Sequence, residues 1–128
     1  MTTISIERGK RVDLTPENIR GIAEQIQSLV GKPLFIKKTL VSGFVERSTQ
    51  MEHEFMRDVE LILNTSEDGK TKDWLVVLPL YDDELGPFAD MVFSTSQRVT
   101  FEWLHPEVLV IQVNPEDGFD FTELVIAA

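Results

Sequence analysis

Two apolar segments either side of one polar turn constrain this chain most. Between Arg57 and Tyr81 the sequence reads RDVELILN, then TSEDGKTK, then DWLVVLPLY. In the first segment Val59, Leu61 and Leu63 alternate with Asp58, Glu60 and Asn64, which is the two-residue period of a half-buried strand. Ile62 is the exception, an apolar residue on the polar side. The second segment is apolar on both faces, with Trp74, Val76, Leu78 and Leu80 on one and Leu75, Val77 and Tyr81 on the other. Such a strand is covered on both sides and central to its sheet. Asp68-Gly69 supplies a hairpin turn, because glycine takes positive φ without penalty. Pro79 lacks an N–H, so a strand end, an edge or a bulge is expected there.

A helical reading competes over residues 50–64. Thr49 and Glu52 have capping-box spacing, and Met51, Phe55, Val59 and Ile62 would form one helical stripe. Leu61 decides for the strand. A helix turns it away from that stripe, whereas a strand places it beside Val59 and Leu63.

The clearest helix lies at Pro16–Val30. Thr15 is its N-cap, Pro16 occupies the first position, and Glu17 favours the positive helix start. Leu14 is placed to pack on Ile19. Ile19, Ile22, Ala23, Ile26, Leu29 and Val30 form one apolar face, opposite Arg20, Glu24, Gln27 and Ser28. Gly31 and Pro33 end it. This face predicts packing against a sheet.

Other strands are expected at residues 3–7, where Ile4 and Ile6 share a face, and from Leu34 to Glu46 as one long strand with Gly43 at a bulge. Lys37 and Lys38 interrupt that strand and suggest a sheet edge. Arg47 to Gln50 reads as a turn, and residues 81–90 read as a loop broken at Gly86-Pro87. Met91 to Leu104 predicts a strand interrupted near 94–97, Val108 to Val113 a buried strand, and Phe119 to Ile126 a short strand or helical turn. Asn114 to Gly118 forms a turn signal. The fold class that follows is α+β, one N-terminal amphipathic helix packed on a curved antiparallel sheet of about five to seven strands in a meander.

At 128 residues the chain is expected to be one domain, burying roughly two-thirds of its unfolded surface without a staple. It has no cysteine, which excludes disulfides, thiolate catalysis and cysteine-held metal clusters. The start has no apolar signal core and no run reaches membrane-spanning length, so a cytoplasmic location is the expectation.

Charge is divided unevenly. Residues 1–57 carry nine basic and seven acidic side chains (+2), and residues 58–128 carry three basic and fifteen acidic ones (−12). Nucleic-acid binding is not expected of so acidic a second half. Asp82, Asp83, Glu84 and Asp90 are the densest acidic group, and Arg8, Lys10 and Arg11 the densest basic one. Both are candidate protein contacts.

No catalytic, metal or cofactor motif is present. His53 and His105 have no ligand spacing, the acidic loops lack calcium-loop spacing, no serine sits in a nucleophile elbow, and no glycine-rich phosphate loop occurs. Phe88, Trp103 and Phe119 are read as core aromatics rather than a base-stacking surface. The apolar surplus of the strands, with Leu75, Val77, Phe35 and Val45 assigned to a second sheet face, predicts a non-catalytic interaction domain: an adaptor, inhibitor or small chaperone-like factor covered by a protein partner or a second copy. Two alternatives accompany it. One is a small-molecule or enzymatic pocket of about 300 Å³ or more between helix and sheet. The other is polyanion mimicry by the acidic half.

Overall fold

A computed structural model describes residues 9–82, 84–116 and 120–128, together with the backbone but not the side chains of His53 and Phe88. The expected strand at 3–7 lies outside the described residues. The chain forms β1 (Val12–Asp13), α1 (Ile19–Ile26) continued by a 3-10 turn at Gln27–Leu29, β2 (Leu34–Ser42), β3 (Val45–Met56), β4 (Glu60–Thr65), β5 (Lys72–Asp82), β6 (Gly86–Ser94), β7 (Val99–His105), β8 (Val108–Val113) and β9 (Asp120–Ala127). It is a mixed α+β fold dominated by antiparallel sheet. The nine strands among the described residues exceed the expected number, and the helix is eight residues long, shorter than the sequence pattern implied.

The helix shortens at its start. Asn18, not Thr15, is its N-cap, and Thr15 instead closes the preceding turn: the Asn18 N–H donates to Thr15 Oγ1 (3.2 Å) and the Thr15 N–H donates to Asn18 Oδ1 (2.8 Å). That reciprocal pair closes a turn over Pro16 and Glu17, so regular helix begins only at Ile19. The apolar stripe is placed as predicted. Ile19, Ile22, Ala23, Ile26 and Leu29 are buried. Gly31 takes φ +80° past the helix, and its N–H donates to the Met56 carbonyl (3.1 Å), tying the helix end to β3.

Residues 45–56 and 60–65 are strand, with 57–59 linking them, so the strand reading of Leu61 holds against the helical one, and β4 pairs with β5 across the Asp68-Gly69 turn. Gly69 holds φ +71°. β5 has β6 along one edge and β3 then β4 along the other. Pro79 sits where β3 gives way to β4. Arg57 donates to the Pro79 carbonyl (2.9 Å), and the N and C=O of one residue face the same edge, so the missing N–H falls at that break.

Five expectations are corrected. The Leu34–Glu46 segment is not one strand: Gly43, at φ +63°, and Phe44 form a two-residue turn, and Arg47–Gln50 continues β3. β2 is not an edge, since β3 and β9 flank it. Its lysines are accommodated because Lys37 projects from the outer face and Lys38 from the inner face beyond the buried positions. Residues 81–90 are mostly strand. Asp82 Oδ1 accepts the N–H groups of Glu84 (2.8 Å) and Leu85 (3.1 Å), and Gly86 takes φ +79°, so the chain reverses in a tight turn. Finally, the order β1-β7-β8-β9-β2-β3-β5, with β4 and β6 beside β5, is not a meander. The last strand inserts between β8 and β2.

The sheet rolls around one core. Ile36, Val76, Leu78, Phe101, Leu109, Ile111 and Ile126 are buried with the helix stripe. Phe93 of β6 meets Phe101 of β7 edge-on, ring centres 6.1 Å apart. No ladder joins those two strands among the described residues.

Candidate interaction surfaces

The sequence places apolar side chains on both faces of β5, and only one face enters the core. On the other, register sets Leu75 beside Ile62 and Val77 beside Val92. Ile62 is 44% exposed and Val92 48%, Leu75 is half-buried, and Val77 is covered by its neighbours. Glu60, Asp73 and Asp90 share this outer face, as parity through Val77, Leu75 and Pro79 requires. The result is an apolar patch with an acidic border. The sequence signal for it was Ile62, the one residue that broke the alternation of its strand.

The four residues assigned to a second face do not form one. Leu75 and Val77 belong to this patch. Phe35 lies on the outer face of the other half of the sheet, opposite Ala127, and Val45 lies on the inner face. The hairpin turn at Gly43-Phe44 resets the side-chain parity, which a single long strand would have preserved.

Beside the patch, a groove of about 510 Å³ opens at the break between β3 and β4. Arg57 lies 5.2 Å from the Tyr81 ring centre, and Phe55 stacks on that ring at 5.6 Å. Gln27 secures the break from the helix side. Its Nε2 donates to Asp58 Oδ1 (2.7 Å) and its Oε1 accepts the Val59 N–H (3.0 Å). Arg57 and Tyr81 were not singled out in the sequence, because their contact depends on pairing between Phe55 and Tyr81.

The predicted acidic group is only partly brought together. Asp82 is occupied in capping its turn and Glu84 is exposed within that turn, while Asp90 lies on β6 across from Pro79 and lines the groove. Asp83 lies outside the described residues. Of the basic group, Arg8 also lies outside them and Lys10 is exposed. Arg11 forms an ion pair with Glu102 (3.9 Å) that helps hold β1 to β7. Arg98 likewise spans Asp13 (3.1 Å) and Glu116 (3.3 Å), and its hydrogen bond to Asp13 raises its pKa above the ordinary arginine value. Of the described members, Asp82, Glu84 and Asp90 lie at the β5–β6 end of the strand order, and Lys10 and Arg11 beside β1 at the other.

His105 is a turn residue, its Nδ1 accepting the Glu107 N–H (3.2 Å). Trp103 is buried as expected, whereas Phe119 and the Phe88 side chain lie outside what is described. Among the described residues no three His, Asp or Glu side chains are grouped to hold a metal ion, and no helix is long and apolar enough to cross a membrane. Against β4 the helix borders an open recess of about 250 Å³, around Ala23, Gln27 and Leu61. A larger cavity, about 360 Å³, lies on the inner side of the sheet between β6 and the β2–β3 hairpin. Compared with known proteins, the chain matches no family model, no curated protein and no solved structure.

Proposed function

We propose that this chain is a non-catalytic interaction domain whose outer β4–β5–β6 face binds a protein segment carrying apolar and basic side chains. The supporting observation is the patch of Ile62, Leu75, Val77 and Val92 bordered by Glu60, Asp73 and Asp90. An exposed apolar patch with a polar rim gains by being covered. Its carboxylate rim and the net charge of −10 favour a basic partner, raising the rate of encounter and disfavouring acidic competitors. A second copy fits less well, because a two-fold contact through this face would bring two acidic borders together.

Native mass spectrometry of gently purified protein at low and high salt tests the reading. A protein chain bound at low salt, released at high salt and absent from a folded Ile62→Lys/Val92→Lys variant is expected. A bare monomer at both salt concentrations, or a bound chain indifferent to the double variant, would overturn it.

A further inference from the structure

The β2–β3 hairpin carries a different surface, and its backbone defines what fits there. β3 spans Val45–Met56, yet only Phe55 and Met56 pair with β5. β5 ends at Asp82 and the chain returns as β6 along its far edge. From Val45 to Glu54, therefore, one edge of β3 has no strand beside it among the described residues.

The two-residue turn makes Ser42 and Val45 the hydrogen-bonded pair that closes the hairpin. Alternation from there keeps the backbone groups of Arg47, Thr49 and Met51 on β2. It turns the N–H and C=O groups of Glu46, Ser48, Gln50 and Glu52 toward the open edge. Thr39 and Ser48 fit this assignment, with hydroxyl oxygens 3.4 Å apart across a pair of the closer, non-hydrogen-bonded kind. No proline or glycine guards residues 45–54, so the edge is a complete template for another strand.

The side chains state which strand suits it. Glu46 and Glu52 stand on the outer face, with Ser48 and Gln50 between them. Val45, Arg47, Thr49 and Met51 stand on the inner face, where Met51 borders the 360 Å³ cavity also lined by Lys38, Met91, Phe93 and Leu124. Side chains directly opposite in paired strands share a face and interact.

We propose that β3 takes up an extended segment of a partner protein by strand addition, in the place that β5 vacates. The segment alternates apolar residues, directed inward to Val45, Met51 and the cavity, with basic residues directed outward to Glu46 and Glu52. Backbone hydrogen bonds supply the attachment and the alternating side chains supply the choice of partner. Self-pairing is disfavoured. The two-fold register centred on Thr49, which uses most of the edge, sets Glu46 against Glu52 on the outer face, and like charges directly opposite are destabilising. This surface is separate from the outer face of β4–β6, so either proposal can fail alone.

The probe is a peptide of alternating valine and lysine, as long as the open edge, titrated calorimetrically into the full chain. Binding is expected, with a valine–glutamate peptide weaker by about tenfold or more. Gln50→Pro removes one edge-facing N–H without touching the β2 ladder, and it too is expected to weaken binding by about tenfold. Glu46→Lys/Glu52→Lys, a surface change that leaves the backbone intact, is expected to reverse the preference between the two peptides. Amide exchange should slow at residues 46, 48, 50 and 52 on binding, and not along β4. Absence of binding at millimolar peptide, equal binding by both folded variants, or occupation of the same amides by a second copy would each overturn the proposal.

Discussion

One face of β2 is closed at its start and bare at its end. Ile36 and Leu40 lie on the same inner face, yet Ile36 is fully buried and Leu40 is 37% exposed. Composition does not explain the difference, since both are large and apolar. Cover does. At the start of the strand the core cluster includes the helix stripe, Met56 and Leu80. Toward the hairpin tip β5 has already turned away at Asp82, and Leu40, Ser42, Val45 and Arg47 line an open hollow of about 310 Å³. A strand's periodicity states which residues share a face. Whether that face is inside depends on what else reaches it.

The sharpest way to break this comparison is to truncate both residues. Ile36→Ala should cost about 2–5 kcal/mol, from lost transfer energy and the cavity left behind. Leu40→Ala should stay within about 0.5 kcal/mol, as a surface change does. Urea denaturation measures both, and equal losses would mean that the hairpin end is as closed as the helix end.

The closed end depends in turn on how the helix begins. Thr15→Ala removes the hydroxyl that accepts the Asn18 N–H and should cost about 1 kcal/mol. The same denaturation experiment reads it. A Thr15→Ser variant that restores the loss would assign the effect to the hydroxyl rather than to the methyl group.

The smallest effect belongs to the exposed β4–β5 turn. Hydrogen bonds from the Ser66 hydroxyl (2.6 Å) and the Lys70 N–H (3.0 Å) hold the Asp68 pKa below the ordinary carboxylate value. A carboxylate depressed in the folded state contributes stability that is present above its unfolded pKa, about 3.9, and is lost as pH falls through the folded value. Acidification below about pH 4 should therefore loosen this turn. Amide chemical shifts of residues 66–71 would follow it, and Asp68→Asn should flatten the acid dependence there while leaving Ile36 and its neighbours unmoved.

Much of the fold was legible in local chemistry. The helix stripe from Ile19 to Leu29, the positive φ at Gly69 and the strand assignment at Leu61 each follow from spacing and turn residues. The misreadings were local too. Gly43 looked like a bulge in one strand and is the turn between two, because a lone glycine in an apolar run permits either. Lys37 and Lys38 looked like an edge signal and lie on an interior strand, because each projects from a face into water rather than along the ladder.

The candidate surfaces were less legible. Ile62 signalled an outer patch, but Val92 joins it only through pairing of β5 with β6. The chosen acidic residues marked a tight turn at Asp82 rather than a shared surface.

By itself the sequence determined the helix, most strand segments, their apolar faces and the acidic second half, since each depends on residues close together in the chain. Tertiary structure alone decided that β9 joins β8 to β2, that β5 pairs with only the last two residues of β3, and that Leu40 stays uncovered while Ile36 is buried. The reason is physical. Backbone groups pair with any strand of suitable length and twist, so the choice of neighbour falls to the packing of side chains brought together from distant parts of the chain.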